Sequence, residues 1–131
     1  MLQLISRFKE TPGGPPIGKL GELMRNRYLE TLSLRIAEIS SPSIVCGDFN
    51  ATPWSSIFQK FIKFSGLLFA ENHLVPNSWP TTYLIPGLPI DHCLSKGLNI
   101  VRYKKGPDIN SDHWPLVIQI ASKNRNIASE K

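Results

Sequence analysis

The sequence predicts an α/β domain, and three features carry that prediction. Short apolar runs of strand length, such as Ile44-Val45-Cys46 and Leu116 to Ile120, occur beside longer stretches with apolar residues at helical spacing. Gly/Pro-rich punctuation separates them. Polar pairs stand at the edges of three strands: Asp48-x-Asn50, Asp91-His92 and Asp112-His113. The ends of strands are where open α/β sheets place their ligands.

Each element follows from local chemistry. Residues 2 to 8 alternate loosely and read as a strand. Thr11 to Gly18 is a Pro/Gly loop. From Gly21 to Ser40 the spacing predicts a helix, with Met24, Tyr28, Leu32 and Ile36 as its apolar stripe, widened by Leu29 and Ile39. Ser40-Ser41-Pro42 ends it. A buried strand over 43–46 then stops at Gly47, the residue most tolerant of unusual backbone angles. Alternate residues of extended backbone point to one side, so Asp48 and Asn50 face one spot. Thr52 as N-cap and Pro53 at the first helical position predict a second helix to Ser65, with Gly66 just past its end. Its apolar positions are Ile57, Phe58, Phe61, Ile62 and Phe64.

Leu67 to Ala70 reads as a short strand. Residues 71 to 89 form a long loop with four prolines, and such a loop in a compact domain is more often functional than idle. Ile90 to Ser95 is a strand carrying an acid, and Lys96-Gly97 a turn. Asn99 to Lys105 is a further strand, with Ile100, Arg102 and Lys104 on one side and Val101 and Tyr103 on the other. Leu116 to Ile120 is a last, mostly buried strand, and the chain from Ser122 is a polar tail.

At 131 residues, 41% hydrophobic and 19% charged, the chain has the composition of one globular domain. No stretch approaches the roughly 20 apolar residues of a membrane span. The first residues lack a basic region followed by an apolar block, so no signal peptide is visible. Cys46 and Cys93 lie in separate apolar runs and read as buried thiols, which favours a reducing, cytoplasmic setting. Zinc would need more Cys or His at tight spacing. The net charge of +5 fits either a solvated basic surface or attraction to a polyanion such as nucleic acid.

The chain has four aspartates, and three of them, Asp48, Asp91 and Asp112, sit beside apolar strands. Asp is a poor strand residue, so strand stability does not explain them. If the strands are neighbours, two carboxylates and an amide offer oxygen ligands to a hard cation. A His paired with an Asp is fixed in one tautomer. A cation beside an oriented water cleaves phosphoesters. Against this, an Asp such as Asp48 also caps turns. His92, inside an apolar run, reads as packed, and His73, in a polar loop, as exposed.

Three segments, Gly47-Asp48-Phe49-Asn50-Ala51, Ile90-Asp91-His92 and Ser111-Asp112-His113-Trp114-Pro115-Leu116, occur in the order of the C-terminal signatures of the endonuclease/exonuclease/phosphatase superfamily. Ser78-Trp79-Pro80-Thr81 resembles that family's Thr-Trp-Pro-Thr loop, with Ser for Thr. The chain therefore resembles the C-terminal half of such a domain, over residues 1 to 121, with 122 to 131 as a tail. The resemblance implies half of a four-layer α/β sandwich, its sheet mixed but mainly antiparallel and its helices on one face.

It also implies Mg²⁺- or Mn²⁺-dependent hydrolysis of a phosphodiester or phosphomonoester. Asp48 would orient or deprotonate the attacking water, and Asn50 would bind the scissile phosphate. Asp91 would fix the ring of His113, and His113 would contact a phosphate oxygen. Asp112, with Asp48, would serve the metal, while Trp79 and Trp114 would join Asn50 in binding substrate. The family's first half normally supplies a metal-binding Glu after an apolar strand. Glu10, Glu22, Glu30 and Glu38 do not have that setting. An exposed apolar face is then expected where the other half packs, open to self-association or to a complementary N-terminal half. The competing reading is a non-catalytic module that binds a protein partner or nucleic acid.

Overall fold

The computed structural model describes residues 3–6, 18–70, 74–82 and 86–122, the first segment and Ser122 by backbone alone. The expected Pro/Gly loop before Gly18, the exposed His73 and the tail beyond Ser122 lie outside these residues. The elements run β1 (Gln3–Ser6), α1 (Lys19–Ala37), β2 (Ser43–Asp48), α2 (Ser56–Ser65), β3 (Asp91–Lys96), β4 (Leu98–Lys105) and β5 (Leu116–Ser122).

β1, β2 and β3 form one sheet in that order, and β4 and β5 form a two-stranded ribbon. β1 lies parallel to β2, with Leu4 opposite Ile44. Parallel neighbours need a crossover, which α1 supplies. β3 runs antiparallel to β2, with Cys46 opposite Cys93 and Asp48 opposite Asp91.

Both helices cover one face of the sheet, as the resemblance implies. Leu29 and Ile36 of α1 meet Phe58 and Phe61 of α2, with Val45, Phe49 and Leu94 beneath, in one buried core. Phe49 is its hub, edge-on to Phe58 at 5.2 Å and tilted against Phe61 at 5.3 Å. The opposite face carries Cys46 and Cys93, against which Ile100, Tyr103, Leu116 and Ile118 of the ribbon pack. Lys96 Nζ donates to the carbonyls of Ile36 and Ala37, placing a cation at the negative end of α1. Among the described residues, no helix is long and apolar enough to cross a membrane.

Several local expectations are corrected. Met24 is 59% exposed and Tyr28 48%, whereas Leu29, Ser33 and Ile36 are buried. Steps of four overshoot a helical turn by about 40° each, so the stripe from Met24 to Ile36 winds obliquely from solvent into the core. α2 starts at Ser56, with Ser55 at the N-cap position but no side-chain cap, because Thr52 to Ser55 closes a turn of its own: Ser55 N–H and Oγ both bond the Thr52 carbonyl. Phe64 is exposed, while Gly66 takes the left-handed conformation (φ 69°) expected just past a helix. Leu67 to Ala70 contributes a single bridge, Leu68 to Ser95, rather than a strand.

β4 does not alternate. Ile100 and Tyr103 are both buried because the pairing with β5 shifts register between Ile100 and Arg102, which puts residues three apart on one face. β5 is not mostly buried either: Val117 and Ile120 are exposed on the ribbon.

Cys46 and Cys93 are not thiols but a disulfide. They lie directly opposite on β2 and β3, with Cα atoms 4.1 Å apart, the close spacing of a non-hydrogen-bonded antiparallel pair. The Cys93 N–H donates instead to the Tyr103 hydroxyl. Sequence spacing across 47 residues carries no information on register, so the thiol reading had nothing to test it. With both cysteines in a disulfide, neither offers a thiol that favours a reducing compartment.

Candidate active site

The site starts where β2 ends. The Phe49 side chain enters the core, and its N–H bonds the Ile90 carbonyl at 2.9 Å, so β2 stays tied to the β3 side one residue past its end. Asn50 then turns into left-handed backbone (φ 47°), a conformation Asn tolerates better than most residues. Its backbone N–H donates to Asp48 Oδ1 at 2.7 Å and its side-chain Nδ2 to Asp48 Oδ2 at 3.0 Å. Asp48 does therefore cap a turn, and in doing so it sets the direction of the Asn50 amide.

Asp91, the partner of Asp48 across the ladder, binds His113: Asp91 Oδ2 lies 2.8 Å from His113 Nδ1. An ionised carboxylate only accepts, so Nδ1 carries the proton and Nε2 is left as the ring's other polar atom. The His113 N–H donates to Ser111 Oγ at 3.1 Å.

The Ser78–Thr81 loop holds these parts in register. Ser78 is fully buried, and its Oγ accepts the N–H groups of Ile90 (3.3 Å) and Asp91 (3.0 Å). Its carbonyl accepts the Trp114 N–H at 2.7 Å, and Thr81 bonds the carbonyls of Asp112 and Ser111 through N–H and Oγ1. The Trp79 ring stands 6.4 Å from that of His113, and the Trp79-Pro80 bond is cis.

Electrostatics separate the two described histidines. Partial burial is the largest single influence on His113 and lowers its pKa, but the Asp91 hydrogen bond and the charges of Asp91, Asp48 and Asp112 together outweigh it, so the net shift is upward. His92 goes the other way. It is fully buried, and burial lowers its pKa despite a hydrogen bond to the Ala51 carbonyl and the charge of Asp91. Its Nε2 lies 2.8 Å from that carbonyl, so Nε2 bears the hydrogen, and no described residue bonds Nδ1. His92 is a packed, neutral ring between Phe49 and Phe58, as the sequence suggests. Burial also pushes the Tyr103 hydroxyl up to about 12.

Asp48 and Asn50 thus share one turn, Asp91 and His113 one hydrogen bond, and Trp79 borders the His113 ring. Asp112 is exposed, one residue before His113, and its charge reaches that ring. Trp114 stacks under Lys105, whose Nζ is 4.8 Å from the ring centroid.

The donor set falls short of a divalent cation. Among the described residues no three His, Cys, Asp or Glu side chains cluster as a metal site, and both Asp48 oxygens accept hydrogen bonds from Asn50. These residues do not by themselves fit Mg²⁺ or Mn²⁺, which take six or more oxygen ligands counting water.

Sequence reasoning missed three contributors. Ser78 entered only as a letter in a resemblance; a lone Ser carries no sign of accepting two N–H groups. Tyr103 bonds the Cys93 N–H, which follows from the β4 register shift. Arg25 of α1 donates from Nη1 to the Asn50 carbonyl at 2.8 Å, across 25 residues of chain.

The endonuclease/exonuclease/phosphatase family model matches residues 5–113. The chain belongs to that family. No curated protein gives a significant match to it. Among solved structures it resembles a functionally unknown conserved protein from Enterococcus faecalis V583 at 26% identity and TM-score 0.54, covering 79% of this chain and 43% of that one. It also resembles an endonuclease/exonuclease/phosphatase family protein from Bacteroides thetaiotaomicron at 18% identity and TM-score 0.45, covering 79% and 46%. Beta toxin from Staphylococcus aureus aligns at 14% identity and TM-score 0.49, covering 88% and 49%. This family member therefore spans less than half the length of each of these structures.

Proposed function

We propose that the chain carries the C-terminal part of a phosphoesterase site, hydrolysing a phosphodiester or phosphomonoester by attack of water. The observation that carries this reading is the Asp91 Oδ2–His113 Nδ1 contact at 2.8 Å, with the charges of Asp48, Asp91 and Asp112 converging on one imidazole. In this reading Asp91 fixes the ring and favours its imidazolium form, whose Nε2–H donates to a phosphoryl oxygen as charge builds on it. The Asn50 amide has a second hydrogen beyond the one held by Asp48, and it binds another phosphoryl oxygen. Asp48 orients the attacking water, while Trp79 and Trp114 border the substrate.

Dependence on Mg²⁺ or Mn²⁺ belongs to the proposal on family grounds, with Asp112 and Asp48 as this chain's contribution. The remaining ligands would come from a second polypeptide segment, either a complementary N-terminal half or another copy. The basic residues Arg102, Lys104 and Lys105, exposed on β4 with Lys105 over the Trp114 ring, suit a polyanionic substrate such as nucleic acid.

The short donor set supports one other reading: a module that binds nucleic acid or a protein partner without catalysis. The deciding experiment is hydrolysis of bis(4-nitrophenyl) phosphate with and without Mg²⁺ or Mn²⁺, beside His113→Ala and Asp48→Asn. Cation-dependent turnover lost in both variants supports the phosphoesterase. Turnover no higher than in the variants, with salt-dependent DNA binding, moves the conclusion to the binding module.

A further inference from the structure

We infer that Arg25 is a positioning residue for the site, locking the Asp48–Asn50 turn from the side of α1; the catalytic part of this inference rests on the phosphoesterase reading. Asn50 holds left-handed backbone (φ 47°), which persists only where its surroundings fix it. Asp48 fixes one end of the residue by accepting its N–H and Nδ2. Arg25 fixes the other, donating from Nη1 to the Asn50 carbonyl at 2.8 Å. With its N–H, its side chain and its carbonyl all engaged, Asn50 has no torsion left free to turn its amide away.

The guanidinium is itself aimed. Its Nε and Nη2 both donate to Asn26 Oδ1, at 3.3 and 3.2 Å, which leaves Nη1 directed at the turn. Only a planar fork can bind one acceptor through an edge and a second through its remaining nitrogen, so Lys cannot replace it. The Glu22 carboxylate, 3.8 Å from Nη2 and largely exposed, adds little. Arg25 lies one turn before Leu29, whose burial anchors α1 on the core, so the helix presents the fork at a fixed height. The positioning chain runs Asn26, Arg25, Asn50, Asp48, and Arg25 itself touches no reacting atom.

The test uses the full chain and two readouts. In ¹H–¹⁵N spectra, Arg25→Ala is expected to shift both the backbone and the side-chain amide of Asn50. It is also expected to speed exchange of the backbone amide about tenfold, while Phe58 and Leu94 keep their protection. Asn26→Ala is expected to do the same more weakly, and Glu22→Gln to leave Asn50 unmoved. Unshifted Asn50 amides in Arg25→Ala overturn the inference. Loss of protection at Phe58 and Leu94 overturns it too, since Arg25 would then hold up the fold at large.

On bis(4-nitrophenyl) phosphate, Arg25→Ala is expected to lower kcat about tenfold with KM nearly unchanged, the mark of a misaligned rather than a missing contact. A raised KM at constant kcat would make Arg25 a substrate ligand instead, contrary to the inference. A wild-type chain without turnover overturns the phosphoesterase reading alone; the Asn50 amides still decide whether Arg25 sets the turn.

Discussion

Ser78 sits beneath Asp91, its buried hydroxyl accepting the Asp91 N–H at 3.0 Å and the Ile90 N–H at 3.3 Å. The loop that carries Trp79 is thereby joined to the strand whose first residue binds His113. Ser78→Ala leaves two N–H groups without their acceptor in a dry setting. The expected loss is about 1–3 kcal/mol of stability, read from urea unfolding. Unchanged stability would show that water replaces the hydroxyl.

Asp91→Asn keeps the shape of the side chain and removes its charge. The His113 ring then faces an amide that can accept through its oxygen or donate through its nitrogen, so its tautomer is no longer fixed, and it loses the charge-assisted hydrogen bond that most raises its pKa. If the site hydrolyses phosphoesters, turnover is expected to fall about 10- to 100-fold, a size typical of lost orienting partners. An NMR titration of the His113 ring is expected to give a lower midpoint in this variant than in the wild type.

The disulfide gives a prediction independent of any activity. Cys46 and Cys93 close a loop with a sequence separation of 47, for which the chain-entropy account gives about 4 kcal/mol. The double variant Cys46→Ala/Cys93→Ala is expected to lose stability on that order, measured against the oxidised wild type. Non-reducing mass spectrometry should find the native chain two hydrogens lighter than its reduced form.

His92 makes stability depend on pH. Its folded pKa lies below the unfolded value, so the unfolded chain takes up a proton first on acidification. Its contribution is fully present above about pH 6.5 and is lost as pH falls from there toward the folded pKa, by at most about 1.4 kcal/mol per pH unit. His92→Gln cannot titrate, yet its amide can still donate to the Ala51 carbonyl. Urea midpoints from pH 5 to 8 are expected to fall less steeply on the acid side in that variant. Parallel curves would mean that His92 finds an acceptor for its second proton.

What the sequence made legible was what alternation and punctuation encode. The strand over 43–46 and the Gly66 cap follow from residues a few positions apart, although β2 runs two residues further, to Asp48; the helical cover on one face was legible through the family resemblance. Met24 and Tyr28 misled because a spacing of four drifts around a helix, and a short window hides the drift. Tyr103 and Ile100 misled because a register shift breaks the two-residue rhythm, and Arg102 gives no sign of it. Cys46 and Cys93, and Arg25 and Asn50, were beyond reach for a common reason: each contact joins distant segments, and one sequence records no register between them.

The irregularity between Ile100 and Arg102 also fixes the length of the ribbon. Tyr103 faces inward, where its hydroxyl meets the Cys93 N–H, because pairing slips by one residue there. Removing a residue between Ile100 and Tyr103, or adding one, would swing the ring outward and strip that N–H of its acceptor. Substitutions at exposed Val101 or Arg102 leave that spacing intact. Relatives of this chain should therefore vary freely in the identity of these two residues, while gaps and insertions gather in the loop after Lys105.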